Sequence, residues 1–267
     1  MKQFLPVLLA LLIFAGCKPE PKNANPNLSE SEHLVMATDW FQKSAEMRAC
    51  YYQTFTLAKY KLTEKQNAYK GGKPTAVVLD IDETVLDNSP FEVHLINTGQ
   101  LYSGKLWQDW TRKGTAKALP GAVNFTHYAK SLGVEVIYIS NRKTNELEIT
   151  LENLKSEGFP NADSNFVFLR PKDKSGDKTE RRNFVNINYD VLLYIGDNLT
   201  DFSQIYGDRG ADLGFSLVDS TKNLFGEDYI ILPNPMYGEW EGALYGNDYS
   251  LSAEQKRNLR KQLLDGY

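Results

Sequence analysis

The chain has 267 residues, 42% hydrophobic and 24% charged, with 19 Gly, 11 Pro and 2 Cys. That balance excludes a collagen-like chain, a disulfide-stapled miniprotein and a wholly disordered polymer. Lys and Arg total 30 against 34 Asp and Glu, a net charge of −4, so the basic footprint of a nucleic-acid binder is missing and no nucleic-acid partner is expected.

Met1 and Lys2 make a short positive start, and residues 4–15 form an uncharged apolar run. The run is too short for a membrane-spanning helix and fits the core of a secretion signal. It leads into Phe14-Ala15-Gly16-Cys17, where small residues before a cysteine resemble a bacterial lipobox, with Phe14 where Leu is usual. This likeness implies a lipoprotein signal peptide over residues 1–16, lipidation of Cys17 and a membrane partner through that anchor. A simple secretion signal cleaved near Ala15 or Gly16 is the alternative. Lys18 is not the Asp that retains lipoproteins at the inner membrane of enteric bacteria. The expected location is therefore the outer membrane, facing the periplasm or the cell surface. Residues 17–28 are rich in Pro and Asn and read as a tether.

Ser29-x-x-Glu32 is a capping-box pattern. Behind it Trp40, Ser44, Met47, Tyr51, Phe55, Ala58 and Leu62 recur at helical spacing. They predict one long helix or two consecutive ones over 30–69, in a helical segment 29–70 that Gly71 and Gly72 end. Cys50 lies inside this pattern and reads as neither a catalytic thiol nor half of a disulfide. His33, His94 and His127 are scattered and read as structural or surface residues.

Apolar runs follow at 76–79, 134–139, 165–169, 191–195 and 229–232, with helical patterns between them, as at 121–132 and 143–157. Continuous apolar runs of this length suit strands buried on both faces. Their alternation with helices predicts an α/β fold with a doubly wound parallel sheet flanked by helices. The core is expected over 71–250. Residues 85–119, too long for a crossover loop and carrying their own aromatics, read as an inserted cap. Ser252-x-x-Gln255 opens a final helix within 251–267.

Polar residues cluster behind these runs, where α/β sheets place their sites. Asp80-Ile81-Asp82-Glu83-Thr84 follows the first, Ser140-Asn141-Arg142 the second, a Lys-rich loop over 172–178 the third, and Asp197 to Asp201 the fourth. Residues two apart in an extended segment share a side, so Asp80 and Asp82 can face one site. Three or four converging carboxylates repel one another, and a hard divalent cation relieves the repulsion, with Mg²⁺ the best fit. A hydroxyl and an ammonium beside them suit a phosphoryl group.

In this order the motifs resemble the haloacid dehalogenase superfamily. LDIDETVLDNSP (79–90), ISNR (139–142), KDKSGDK (172–178), YIGDNLTDF (194–202) and LPNPMYGEWEG (232–242) resemble its class C acid phosphatases, bacterial lipoproteins with 5′-nucleotidase activity. The resemblance runs from about Trp40 to about Gly242. It implies a haloacid dehalogenase-like core with a small helical cap built from the insertion and terminal segments.

For the site it implies Asp80 as nucleophile and metal ligand. Asp82 becomes the general acid/base, whose backbone carbonyl also reaches the metal. Thr84 steadies the loop. Ser140 holds phosphate, Asp197 is a second ligand, and Asp201 ligates or orients the cation through water. Lys178 is the best match for the phosphate-binding lysine, with Lys174 the runner-up because the loop is one residue longer than the family pattern. Asn141 and Arg142 fall among the substrate contacts. Trp107 and Tyr237 match an aromatic pair that clamps a nucleobase, although Trp107, like Trp110, could instead pack the cap. Asp87 and Asn88 are placed near the mouth.

The function expected is a Mg²⁺-dependent phosphomonoesterase outside the cytoplasm. Its expected substrates are nucleoside 5′-monophosphates, with nicotinamide mononucleotide a further candidate, cleaved through an aspartyl-phosphate. The alternatives are a broad acid phosphatase without base preference and a surface lipoprotein that binds without turnover. The family often forms homodimers, and no motif here encodes the interface.

Overall fold

The computed structural model describes residues 30–267. The expected leader 1–16, Cys17, the expected tether to residue 28 and Ser29 lie outside the described residues.

A 3₁₀ turn (Glu32–Leu34) enters α1 (Val35–Lys43), and α2 (Ala45–Ala68) follows at once. Ser44 divides them. Its backbone is extended, its hydroxyl donates to Trp40 O at 2.6 Å and accepts from Met47 N at 3.0 Å. One side chain thus caps the second helix and closes the first. Met47, Tyr51, Phe55, Ala58 and Leu62 form the buried face of α2, and Cys50 is exposed. The helix stops at Ala68, before Gly71, because Tyr69 turns extended and its hydroxyl reaches Lys73 O at 2.7 Å and Asp190 Oδ2 at 2.5 Å.

Next come β1 (Thr75–Leu79), β2 (Leu86–Asp87), α3 (Ser89–Thr98), α4 (Gly104–Thr111) and β3 (Lys117–Ala118). β2 and β3 pair antiparallel, Leu86 with Ala118 and Asp87 with Lys117, and close the base of the expected insertion. The remaining elements are α5 (Ala122–Ser131), β4 (Glu135–Lys143), α6 (Leu147–Ser156), β5 (Val167–Arg170), α7 (Thr179–Asn188), β6 (Asp190–Gly196), α8 (Leu199–Phe202), α9 (Phe215–Ser220), β7 (Tyr229–Ile231), α10 (Glu239–Ala243) and α11 (Ala253–Gln262). Ser252 and Gln255 cap α11 reciprocally, as their spacing predicts.

The main sheet has the order β5-β4-β1-β6-β7, every pair parallel. Alternate residues of each strand face opposite layers. Val77, Leu79, Val136, Tyr138, Leu193 and Ile195 pack with Phe55, Leu62 and Phe125 from α2 and α5. Ala76, Val78, Ile137 and Ile139 pack with Val185 of α7 on the other side. Both faces are covered, which is why the strands read as unbroken apolar runs. β4 outlasts its apolar run. Its pairing with β5 shifts register after Ser140 and resumes at Lys143–Arg170, carrying the strand through the polar residues that enter the site. Among the described residues no helix is long and apolar enough to cross a membrane.

Glu92 of α3 is only 4% exposed. Burial, with Glu241 adding to it, pushes its carboxyl up to about 8. An acid raised on folding favours the native state while both states are protonated. That contribution is lost as pH rises from the unfolded value through the folded one. Glu92→Gln keeps the shape and removes the titration. Urea unfolding should show the variant gaining on the natural protein at about pH 8 and not at about pH 4. An equal effect at both pH values would contradict this account of the burial.

Candidate active site

The carboxyl ends of β1, β4 and β6 meet at one edge of the sheet. Asp80 follows β1, and its amide donates to Ile195 O of β6 at 2.9 Å. The chain then folds back in a tight loop in which Val85 and Leu86 both donate to Ile81 O. At its apex Glu83 takes φ +57°, the left-handed region that costs a side-chain-bearing residue about 1 kcal/mol. The surroundings hold it there. Tyr51 of α2 donates to Glu83 O at 2.5 Å, and Asn88 N donates to Glu83 Oε1 at 2.7 Å. Burial first, then Asp82, Asp197 and Asp87, push this carboxyl well above its usual range. Thr84, which follows, donates to Asp197 Oδ1 at 3.2 Å.

Asp80, Asp197 and Asp201 offer carboxylate oxygens that all lie within 4.8 Å of one another. Gly196 makes the approach of Asp201 feasible, since a Cβ there would sit 2.3 Å from Asp201 Oδ2. Asn198 amide donates to that same Oδ2 at 2.9 Å. Asp197 Oδ2 accepts from Asn198 Nδ2 at 3.0 Å and from Asn234 Nδ2 at 2.9 Å. Lys178 is buried among them. Its ammonium donates to Asp80 Oδ1, to Asp201 Oδ1 at 2.6 Å and to Ile139 O at 2.8 Å.

The electrostatics follow from this crowding. Burial, opposed by Lys178 and reinforced by Asp201 and Asp82, raises the Asp80 carboxyl to about 7. Burial, Asp201 and Asp80 push Asp197 well above its ordinary value. Burial alone disfavours the Lys178 charge, but Asp201 and Asp80 outweigh it and hold the ammonium protonated. Hard oxygen donors whose charge one lysine offsets only in part fit a divalent cation.

The side chain of Asp82 does not join this cluster. It turns to Ser140 Oγ, Asn88 and Arg142. Three side-chain carboxylates therefore converge, and only the backbone carbonyl of Asp82 remains for the cation role that the resemblance implies. Arg142, expected among the substrate contacts, is 1% exposed and bound to Asp82 and Asn88. Asn141 is half-buried, and its Oδ1 accepts from Arg181 Nη2 at 2.8 Å.

Lys178 is the lysine at the site. Lys174 is exposed, its amide closing a turn on Pro171 O at 3.1 Å and its ammonium pairing with Glu180 at 3.4 Å. Trp107 on α4 is half-buried and meets Phe91 edge-on, with ring centroids 5.2 Å apart. Tyr237 is half-buried against the main core. Two further residues serve the site. Arg181 donates to Ser140 O at 2.6 Å and to Asp177 O at 3.2 Å, tying the β4 end to the lysine loop. Asn234 orients Asp197 from beyond β7. Arg181 carries no sequence signal beyond an ordinary basic helix position, and Asn234 lies in the LPNP stretch without a pattern of its own.

A parallel sheet with aspartates at its strand ends and a buried lysine between them is an arrangement suited to phosphoryl transfer. Residues 17–240 match the family model described as HAD superfamily, subfamily IIIB (acid phosphatase), and the chain belongs to that family. The class C acid phosphatase from Bacillus anthracis is 41% identical, with a TM-score of 0.84 over 90% of this chain and 100% of that one. The same enzyme with tungstate bound gives a TM-score of 0.85. Among curated relatives, the Stem 31 kDa glycoprotein of Glycine max is 29% identical over 60% of this chain, a stretch spanning 58% of its own length. Acid phosphatase 1 of Solanum lycopersicum is 28% identical over 60% of this chain and 57% of its own length.

Proposed function

We propose that this phosphatase is a Mg²⁺-dependent enzyme acting outside the cytoplasm on nucleoside 5′-monophosphates. The observation that carries the chemistry is the set of Asp80, Asp197 and Asp201 around the buried ammonium of Lys178. Asp80, Asp197, Asp201 and the Asp82 carbonyl would hold the cation. When bound, it supplies positive charge against the carboxylates and the phosphoryl oxygens. Lys178 and Ser140 orient the phosphoryl group. A carboxylate oxygen of Asp80 bonds to phosphorus as the ester oxygen departs, and Asp82 gives that oxygen its proton. Asp82 then takes a proton from the water that attacks phosphorus, releasing phosphate and restoring the Asp80 carboxylate.

The nucleotide preference rests on Trp107 and Tyr237, both half-buried. Stacking a base on an aromatic ring contributes about 1–3 kcal/mol and tolerates any base. Trp107→Ala should therefore lower kcat/KM for AMP by about ten-fold or more, and leave a small aliphatic phosphate within about two-fold. The packing of Trp107 on Phe91 supports the second reading, a broad phosphatase for which both substrates lose equally. Nicotinamide mononucleotide belongs in the same substrate panel. We further propose an outer-membrane lipid anchor at Cys17 and a homodimer. Detergent partitioning of a Cys17→Ala variant and the mass in solution test these two.

A further inference from the structure

Both oxygens of the Asp82 carboxylate are held. Oδ1 accepts from Asn88 Nδ2 at 2.9 Å and from Arg142 Nε at 2.9 Å, with Arg142 Nη2 also 2.8 Å away. Oδ2 accepts from Ser140 Oγ at 3.0 Å, and that hydroxyl in turn accepts from Arg142 N at 3.0 Å. The two donors on Oδ1 already fill the two lone pairs of a carboxylate oxygen, whereas Oδ2 keeps one.

The donors are themselves fixed. Asn88 is fully buried, and its Oδ1 accepts from Trp110 Nε1 at 2.8 Å and from Arg142 Nη2 at 3.2 Å. With its carbonyl facing two donors, the amide must present Nδ2 to Asp82. A flipped amide would set N–H groups against both an indole and a guanidinium. Trp110 lies on α4, within the inserted segment.

We infer that Arg142, Asn88 and Trp110 are positioning residues that hold the Asp82 carboxyl and direct its exchangeable proton to Oδ2, so that the inserted segment is linked to proton transfer through one indole N–H. This rests on the reading of Asp82 as general acid/base. Asp82 touches the reacting atoms in that reading, and the other three act through it. The proton leaves Oδ2 for the ester oxygen as the phosphorus–oxygen bond breaks, and Oδ1 stays an acceptor for Arg142 and Asn88 throughout.

A general acid matters more the more basic the leaving oxygen is. The test is therefore the dependence of kcat/KM on leaving group across substituted phenyl phosphates, from nitrophenyl to unsubstituted phenyl. This parameter reports steps up to phosphoryl transfer and is untouched by later hydrolysis. Arg142→Lys and Trp110→Phe should each lose at least about ten-fold more activity on phenyl phosphate than on the nitrophenyl ester. Trp110→Phe removes one N–H and little volume, so it remains informative if Arg142→Lys does not fold. Asp82→Asn is the reference and should show the same selective loss, larger. Uniform losses in the two positioning variants beside a selective loss in Asp82→Asn would overturn the inference and leave the acid/base reading standing. A uniform loss in Asp82→Asn would remove that reading and the inference with it.

Discussion

Asp80→Asn should leave a folded protein that releases no phosphate from any ester tested. Asn has nearly the shape of Asp, but its amide oxygen cannot form the acyl phosphate through which the proposed turnover runs. Losing the nucleophile of an enzyme that works through a covalent intermediate lowers kcat by roughly 10⁴-fold or more. The fold should tolerate the change. Asp80 is 7% exposed, and burial is the largest influence on its carboxyl, so ionising it inside the protein is unfavourable to begin with. Lys178 loses one partner and keeps Asp201 at 2.6 Å and Ile139 O at 2.8 Å. Phosphate release from p-nitrophenyl phosphate and from AMP, alongside far-UV circular dichroism, tests both statements. Activity within about ten-fold of the natural protein would remove Asp80 from the chemistry.

The strands were legible because a sheet covered on both faces leaves no alternation to misread, and the runs near 76–79 and 191–195 match β1 and β6 to within a residue. Ser44 was not legible as a boundary. It falls on the helical spacing of its neighbours, and only its extended backbone makes it a cap. The continuation of β4 through Ser140 and Lys143 was hidden as well, since those residues have no apolar pattern and are held by pairing with β5.

At the site, the aspartates and Ser140 could be read from motif order, and Lys178 could be preferred to Lys174. The partners of Asp82 could not. Arg142, behind the second apolar run, was expected among the substrate contacts. Instead it turns inward to Asp82 and to Asn88, whose carbonyl also accepts from Trp110, and the sequence keeps Arg142, Asn88 and Trp110 far apart. Sequence motifs report which groups are present, whereas the choice between touching substrate and holding another residue is made by burial.

Chelation should abolish activity, and the stabilisation by Mg²⁺ should grow as pH rises. Without a cation, the Asp80 carboxyl stands near 7 and Asp197 well above its ordinary range. Both acids therefore carry protons in the native state at a pH where they are ionised in the unfolded chain. Their contribution favours the metal-free fold at low pH and is lost as pH climbs from the unfolded values through about 7 for Asp80 and beyond it for Asp197. A cation binds the ionised forms and must displace these protons, so its affinity rises over the same interval. A ligand at a hundred times its Kd stabilises by about 2.7 kcal/mol. At one fixed Mg²⁺ concentration, the rise in Tm over a chelated sample should thus be small at about pH 5 and several degrees larger at about pH 8. Asp197→Asn should shrink the difference between the two pH values, because one of the proton-competing groups is gone. A Tm shift independent of pH would mean that the cation binds away from these carboxylates. No shift at all, with activity intact in chelator, would mean that Lys178 alone provides the positive charge for the phosphoryl group.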